Sequence, residues 1–195
     1  MPDSHPQLST RKSDLVNLAA FDPRLVLDIR YASRDNFTGH AIYSLAAAWL
    51  QCKAAESLVR AHDRAREKGF GLLILDAYRP WHVTQTFWEN YPNYREFVAD
   101  PATGSVHNRG CAVDLTLVDL VTGNEVSMPS GYDEFTERAY PTYAGGDPKR
   151  LANRDTLRAF MEAEDFAVHP HEWWHFDHAS WRDYPVLNID FEDLV

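Results

Sequence analysis

The stretch Ser105-Val106-His107-Asn108-Arg109-Gly110-Cys111-Ala112-Val113-Asp114 places a histidine and a carboxylate seven residues apart, with a glycine between them. From Cys111 the pattern alternates, with Cys111, Val113, Leu115 and Leu117 set against Ala112, Asp114 and Thr116. That is the two-residue period of a β-strand. With Leu115 and Leu117 toward a core, Asp114 and Thr116 face a cleft or solvent. Gly110 has access to backbone angles that other residues avoid, so the chain is expected to bend there and return His107 over Asp114. An imidazole and a carboxylate converging on one point make half of a divalent metal site.

The other half is expected well downstream, in His171-Glu172-Trp173-Trp174-His175-Phe176. His175 completes a His, Asp, His set that leaves a fourth zinc position open to water, and Glu172 is a natural base for that water. The letters His171-Glu172-x-x-His175 also match H-E-x-x-H, in which two histidines bind zinc from one helix face. Against that reading, Pro170 stands immediately before, and Trp173-Trp174-His175-Phe176 is rich in strand-preferring aromatics. A third ligand would also have to come from farther downstream. Arg79, in Asp76-Ala77-Tyr78-Arg79-Pro80, is by itself more often a salt-bridge partner. Beside a metal it is placed to stabilise a developing oxyanion.

Size and composition frame these motifs. At 195 residues the chain is expected to be one domain spanning 1–195, with residues 1–20 a loose lead-in. The 45% apolar content, with 6 Trp, 9 Tyr and 10 Phe, supports a sizeable core. A net charge of −10 without a Lys/Arg-rich block argues against a nucleic-acid partner. Cys52 and Cys111 are expected as free thiols in a reducing compartment. The polar start and the lack of a long apolar run point to the cytoplasm, with no membrane partner.

Along the chain, Leu25 to Tyr31 alternates as a strand. Ser44 is expected to cap a helix running to about Lys68, stopped by Gly69. Gly71 to Leu75 reads as a buried strand and Pro80 to Asn90 as a helix. The 92–104 stretch is a loop, and Thr122-Gly123-Asn124 a hairpin tip. Residues 128–146 are irregular, a helix follows from Asp147-Pro148 to about Glu164, and Phe166 opens a strand. The order predicts an α+β fold, a small and mainly antiparallel sheet with helices packed on it and a zinc site in a cleft.

Three motifs together carry a resemblance: Asp76-Ala77-Tyr78-Arg79-Pro80, Ser105-x-His107-x-Arg109-Gly110-x-Ala112-x-Asp114-Leu115-Thr116-Leu117, and Glu172-Trp173-Trp174-His175. They resemble the zinc D-alanyl-D-alanine dipeptidases of the VanX type, which are related to D,D-carboxypeptidases and to the Hedgehog signalling domain. Tyr31-Ala32-x-x-Asp35-Asn36-Phe37-Thr38-Gly39 is similar to the dipeptidases as well. The resemblance implies one zinc ion per chain on His107, Asp114 and His175, with Glu172 as general base and Arg79 steadying the scissile carbonyl. It also implies that Ser105, Asp133 and Tyr31 meet the amino end of a small D,D-dipeptide substrate. The chain departs from the family at Val106, where the dipeptidases tend to carry a second serine, and in a shorter 92–104 stretch. A D,D-carboxypeptidase with the same metal centre and a non-catalytic zinc-binding domain are the alternatives.

Overall fold

The computed structural model describes residues 11–195. Its elements, in chain order, are β1 (Leu15–Asn17), α1 (Leu18–Phe21), β2 (Val26–Leu27), β3 (Trp49–Gln51), α2 (Cys52–Glu67), β4 (Phe70–Asp76), α3 (Trp81–Asn90), β5 (Ala112–Asp119), α4 (Pro148–Glu162), β6 (Phe166–His169) and β7 (Glu172–His178). A five-stranded sheet runs in the order β2-β4-β5-β7-β6, and β1 pairs with β3 in a separate two-stranded ribbon. Only the short β2–β4 pairing is parallel; β4–β5, β5–β7 and β6–β7 are antiparallel. This is the expected α+β class. Among the described residues no helix is long and apolar enough to cross a membrane.

The strands have two unlike faces. Val113, Leu115 and Leu117 of β5 join Leu72 and Ile74 of β4 in the main core, where α2 and α4 pack on the sheet and on each other. Helix α2 turns Ala54, Leu58, Ala61 and Ala65 inward at three- and four-residue spacing. Asp114 and Thr116 point the other way, toward a second apolar cluster of Leu73, Leu75 and Val118 beneath Tyr132. Helix α3 does not join the α2–α4 layer; its Phe87 packs against Tyr31 and Phe37 and borders the cavity.

Three expectations are corrected. The helix expected from Ser44 begins only at Cys52, because Trp49–Gln51 is extended and paired with β1. Gln51 donates its backbone N–H to Gly110, and its side chain bonds Arg109 O at 2.8 Å and the Asp14 N–H at 2.8 Å. These long-range bonds outweigh the local helix preference of Leu45-Ala46-Ala47-Ala48. Ser44 instead donates to Glu192. The strand expected over Leu25–Tyr31 stops at Leu27, and residues Arg30–Ala32 form one 3-10 turn that buries Tyr31. The lead-in expected to be loose through residue 20 is built into the fold from Leu15, as β1 and α1; residues 1–10 of it lie outside the described residues.

Candidate metal centre

The sheet register builds the site. Asp114 on β5 and His175 on β7 are direct partners across the antiparallel pair, so their side chains leave the same face side by side. Glu172 opens β7, which disposes of the helical H-E-x-x-H reading: Glu172–His178 is a strand. His107 lies in a 3-10 turn, His107–Arg109, closed by Gly110 at φ +66. A side chain on Gly110 would be strained by that angle, and its Cβ would come 2.5 Å from Leu15 Cδ2. Glycine is needed there for the bend and for the β1 packing beneath it.

The three groups converge as expected. His107 Nε2 lies 3.2 Å from Asp114 Oδ1, His175 Nδ1 lies 3.0 Å from the same oxygen, and the two nitrogens are 3.1 Å apart. All three residues are buried. The fit to a small cation is testable on the hydrogen bonds. His107 Nδ1 lies 2.6 Å from Ala77 O and His175 Nε2 2.8 Å from Asp177 Oδ1, and both partners only accept. Each imidazole therefore spends its proton outward and turns a lone pair inward. Asp114 Oδ2 accepts from Tyr132 Oη at 2.9 Å, whereas the buried Oδ1 has no hydrogen-bond partner among the described residues. Three electron-pair donors facing one another at about 3 Å match the ligand spacing of a tetrahedral ion with bonds of about 2.0–2.1 Å. The donor set, two imidazoles and one carboxylate, suits zinc.

Around this triangle the cavity holds the remaining residues singled out in the sequence. Glu172 Oε2 is 3.7 Å from His175 Nδ1, and burial pushes its carboxyl up to about 7 against the pull of His175. Arg79 is buried at the end of β4, its Nη2 2.6 Å and Nε 3.1 Å from Asp76 Oδ2, with its guanidinium over the Tyr31 and Phe87 rings. Burial alone would lower the Arg79 pKa; Asp76, with Tyr43, Tyr31 and Tyr132 around it, more than reverses this, so the group stays cationic. Ser105 lines the cavity and accepts the His107 N–H at 3.2 Å. Asp133, at φ +57, faces the cavity and accepts from the Phe37 N–H at 3.1 Å and from Tyr31 Oη at 3.3 Å. Its partners among the described residues are thus neutral, and burial pushes its carboxyl well above the usual range. Val106 lines the same cavity.

Several contributors escape the sequence reading. Asp76, which holds Arg79, sits inside a quoted motif, three residues before its partner at the strand end. Asp177 carries a signal too, standing two residues beyond His175 on the same strand face. Tyr132, which holds Asp114, and Phe97 and Phe135, which stack at 4.5 Å beside the cavity, lie in irregular segments without periodicity.

Comparison with known proteins agrees with this geometry. Residues 11–191 match the Peptidase_M15 family, described as D-ala-D-ala dipeptidase. A D-alanyl-D-alanine dipeptidase of Escherichia coli K12 is 37% identical over 183 residues, covering 94% of each chain. One of Enterococcus faecium is 36% identical over 184 residues, covering 85% of this chain and 90% of its own. Among solved structures, the LdcB LD-carboxypeptidase shares the fold, with a TM-score of 0.50 at 18% identity over 86% of this chain and 69% of its own. With the family match spanning 11–191 and such relatives aligned nearly end to end, this chain belongs to the Peptidase_M15 family of D-ala-D-ala dipeptidases and is a peptidase.

Proposed function

We propose that the chain hydrolyses the D-alanyl-D-alanine dipeptide to two D-alanines, using one zinc ion held by His107 Nε2, Asp114 Oδ1 and His175 Nδ1. The observation that carries this reading is the juxtaposition of two features in one cavity. One is the inward-facing donor triangle; the other is Asp133, a carboxylate held by neutral partners and open to a cationic one. Zinc, when bound, acidifies a water from a pKa of about 16 toward about 7 and polarises a carbonyl oxygen.

Each protein group then has one task. Glu172 takes the proton of the attacking water and passes it to the leaving nitrogen as the C–N bond breaks. A carboxyl raised to about 7 by burial is matched to both halves of that exchange. Arg79 supplies fixed positive charge to the carbonyl oxygen as it becomes negative. Asp133 pairs with the substrate ammonium, and Ser105 and Tyr31 supply hydroxyls beside it. The carboxyl group of Asp76 and the rings of Tyr31 and Phe87 keep the Arg79 guanidinium from wandering.

The cavity volume is about 270 Å³. Pockets for drug-sized ligands run to roughly 300–1,000 Å³, so this one suits a dipeptide better than a pentapeptide. Both cysteines are free thiols, which supports a cytoplasmic setting where free dipeptide is the substrate.

The test is hydrolysis of D-Ala-D-Ala by the zinc-loaded protein, beside L-Ala-L-Ala and a pentapeptide ending in D-Ala-D-Ala. Chelator-sensitive cleavage of the D,D-dipeptide alone is the expected result. Cleavage of the pentapeptide would replace this reading with the D,D-carboxypeptidase. Zinc binding without cleavage of any of the three would replace it with a different substrate or a non-catalytic zinc-binding domain.

A further inference from the structure

We propose that Asp177 is a positioning residue of the metal centre: its carboxylate decides which nitrogen of His175 is offered to the cation. This rests on the metal site proposed above. His175 has two usable nitrogens and, when neutral, one proton. Asp177 Oδ1 lies 2.8 Å from Nε2 and can only accept, so the proton belongs on Nε2. The lone pair is thereby left on Nδ1, which lies 3.0 Å from Asp114 Oδ1 and 3.1 Å from His107 Nε2. Nδ1 is the nitrogen nearer the backbone, so ligation through it demands a defined ring orientation. A ring free to turn about its χ2 would present a carbon there in half of its orientations.

The fold makes room for this pairing. Asp177 follows His175 by two residues on β7, so both side chains rise from one face of the sheet. Its partners on the two flanking strands are Ala112 of β5 and Ala167 of β6. Methyl groups on both sides leave the carboxylate space to lie along the strand toward His175. Its side chain is 26% exposed and borders the cavity. The two histidines are consequently held differently. His107 Nδ1 bonds a backbone carbonyl, that of Ala77, with Asp76 Oδ2 farther off at 3.9 Å, whereas His175 Nε2 bonds a carboxylate directly. An outer carboxylate of this kind both locks the ring and makes its inner nitrogen a stronger donor, and removing such a partner typically costs 10–100-fold in metal affinity.

The experiment measures zinc affinity, by competition with a chromophoric chelator at neutral pH, for the wild-type protein, Asp177→Ala, Asp177→Asn and His107→Ala. Wild type should bind one zinc and His107→Ala should lose it; failure of that pair overturns the metal centre itself and Asp177's role with it. Given a sound centre, Asp177→Ala should bind zinc 10–100-fold more weakly, with hydrolysis recovering as zinc is raised. Asp177→Asn, which keeps size and an acceptor oxygen but loses the charge, should fall between Asp177→Ala and wild type. Thermal melts show whether each variant is folded. A folded Asp177→Ala with zinc affinity within about twofold of wild type overturns the proposal. If Asp177→Ala does not fold, the Asn variant decides on the same criterion.

Discussion

The cavity has two walls made in different ways. One is sheet: Asp114 and His175 are register partners on β5 and β7, and His107 is returned to them by a turn. The other is loop: Asp133 sits at a positive φ, and the segments around it are held by aromatic contacts, Phe37 against Phe135 at 5.5 Å and Phe97 stacked on Phe135 at 4.5 Å. The charge environments differ as sharply. Asp114 is buried, yet its two histidine neighbours, when charged, hold its carboxyl far below the usual range; Asp133, lacking such neighbours, is driven far above it. Desolvation acts on both carboxyls, and the outcomes are opposite because the partners differ. The strand wall gathers three donor atoms around a cation-sized space, whereas the loop wall holds a carboxyl that gains a cationic partner only when a substrate ammonium arrives.

The largest break in that division comes from the strand wall. His175→Ala should lose the bound zinc, read by metal analysis, and lower kcat/KM by roughly 10³-fold or more, the several kcal/mol a metal supplies. Glu172→Ala should keep its zinc while kcat falls about 10²–10⁴-fold with KM little changed. Near-normal turnover there would end its role as the base.

Behind the same wall lies a stability effect. His178 is buried between Ser57 Oγ at 3.1 Å and Ser180 Oγ at 2.8 Å, and burial lowers its pKa to about 4. The unfolded chain, with histidine near 6.5, takes up this proton more readily than the folded one. This contribution is therefore full above pH 6.5 and is lost as pH falls toward 4, by up to about 3 kcal/mol. Thermal melts should show His178→Gln less stable than wild type at pH 7 but less sensitive to acid over that range. Parallel slopes for the two proteins would count against it.

The loop wall should respond more gently, and in KM. Asp133→Asn removes one charge-assisted hydrogen bond, about 1.5–3 kcal/mol, so kcat/KM for the free dipeptide should drop about 10–100-fold. The preference over an N-acetylated dipeptide should shrink by the same factor; an unchanged preference would remove Asp133 from the ammonium site. Phe135→Ala should raise KM only a few-fold, since an aromatic pair is worth about 0.5–1.5 kcal/mol beyond its buried area.

The same division explains what the sequence could show. Alternation from Cys111 to Leu117 survives in the fold because β5 is a regular strand whose two faces meet different surroundings, and the aromatic run after Glu172 is a strand for the same reason. Asp133 has no such signal. It sits in an irregular stretch at φ +57, and only the family resemblance pointed to it. The helix misplaced at Ser44 shows the limit of local preference. Leu45 to Ala48 favours a helix on its own, but the extended path through Gln51 gains bonds to Asp14, Arg109 and Gly110, residues no local window includes. Of the outer partners, Asp177 shows in the two-residue period of its own strand, whereas Tyr132 is legible only once its irregular segment is folded against β5.

The sheet order β4-β5-β7-β6 has a consequence for the newborn chain. Synthesis at about 5–20 residues per second delivers His107 and Asp114 several seconds before His175. Strand β7 must then seat itself between β5 and its own hairpin partner β6, so it is the closing piece of the sheet. Until it does, the nascent polypeptide carries two of the three donors and lacks Glu172. On the proposed function, metal capture and competence for hydrolysis both wait for β7, the last strand of the sheet to be synthesised.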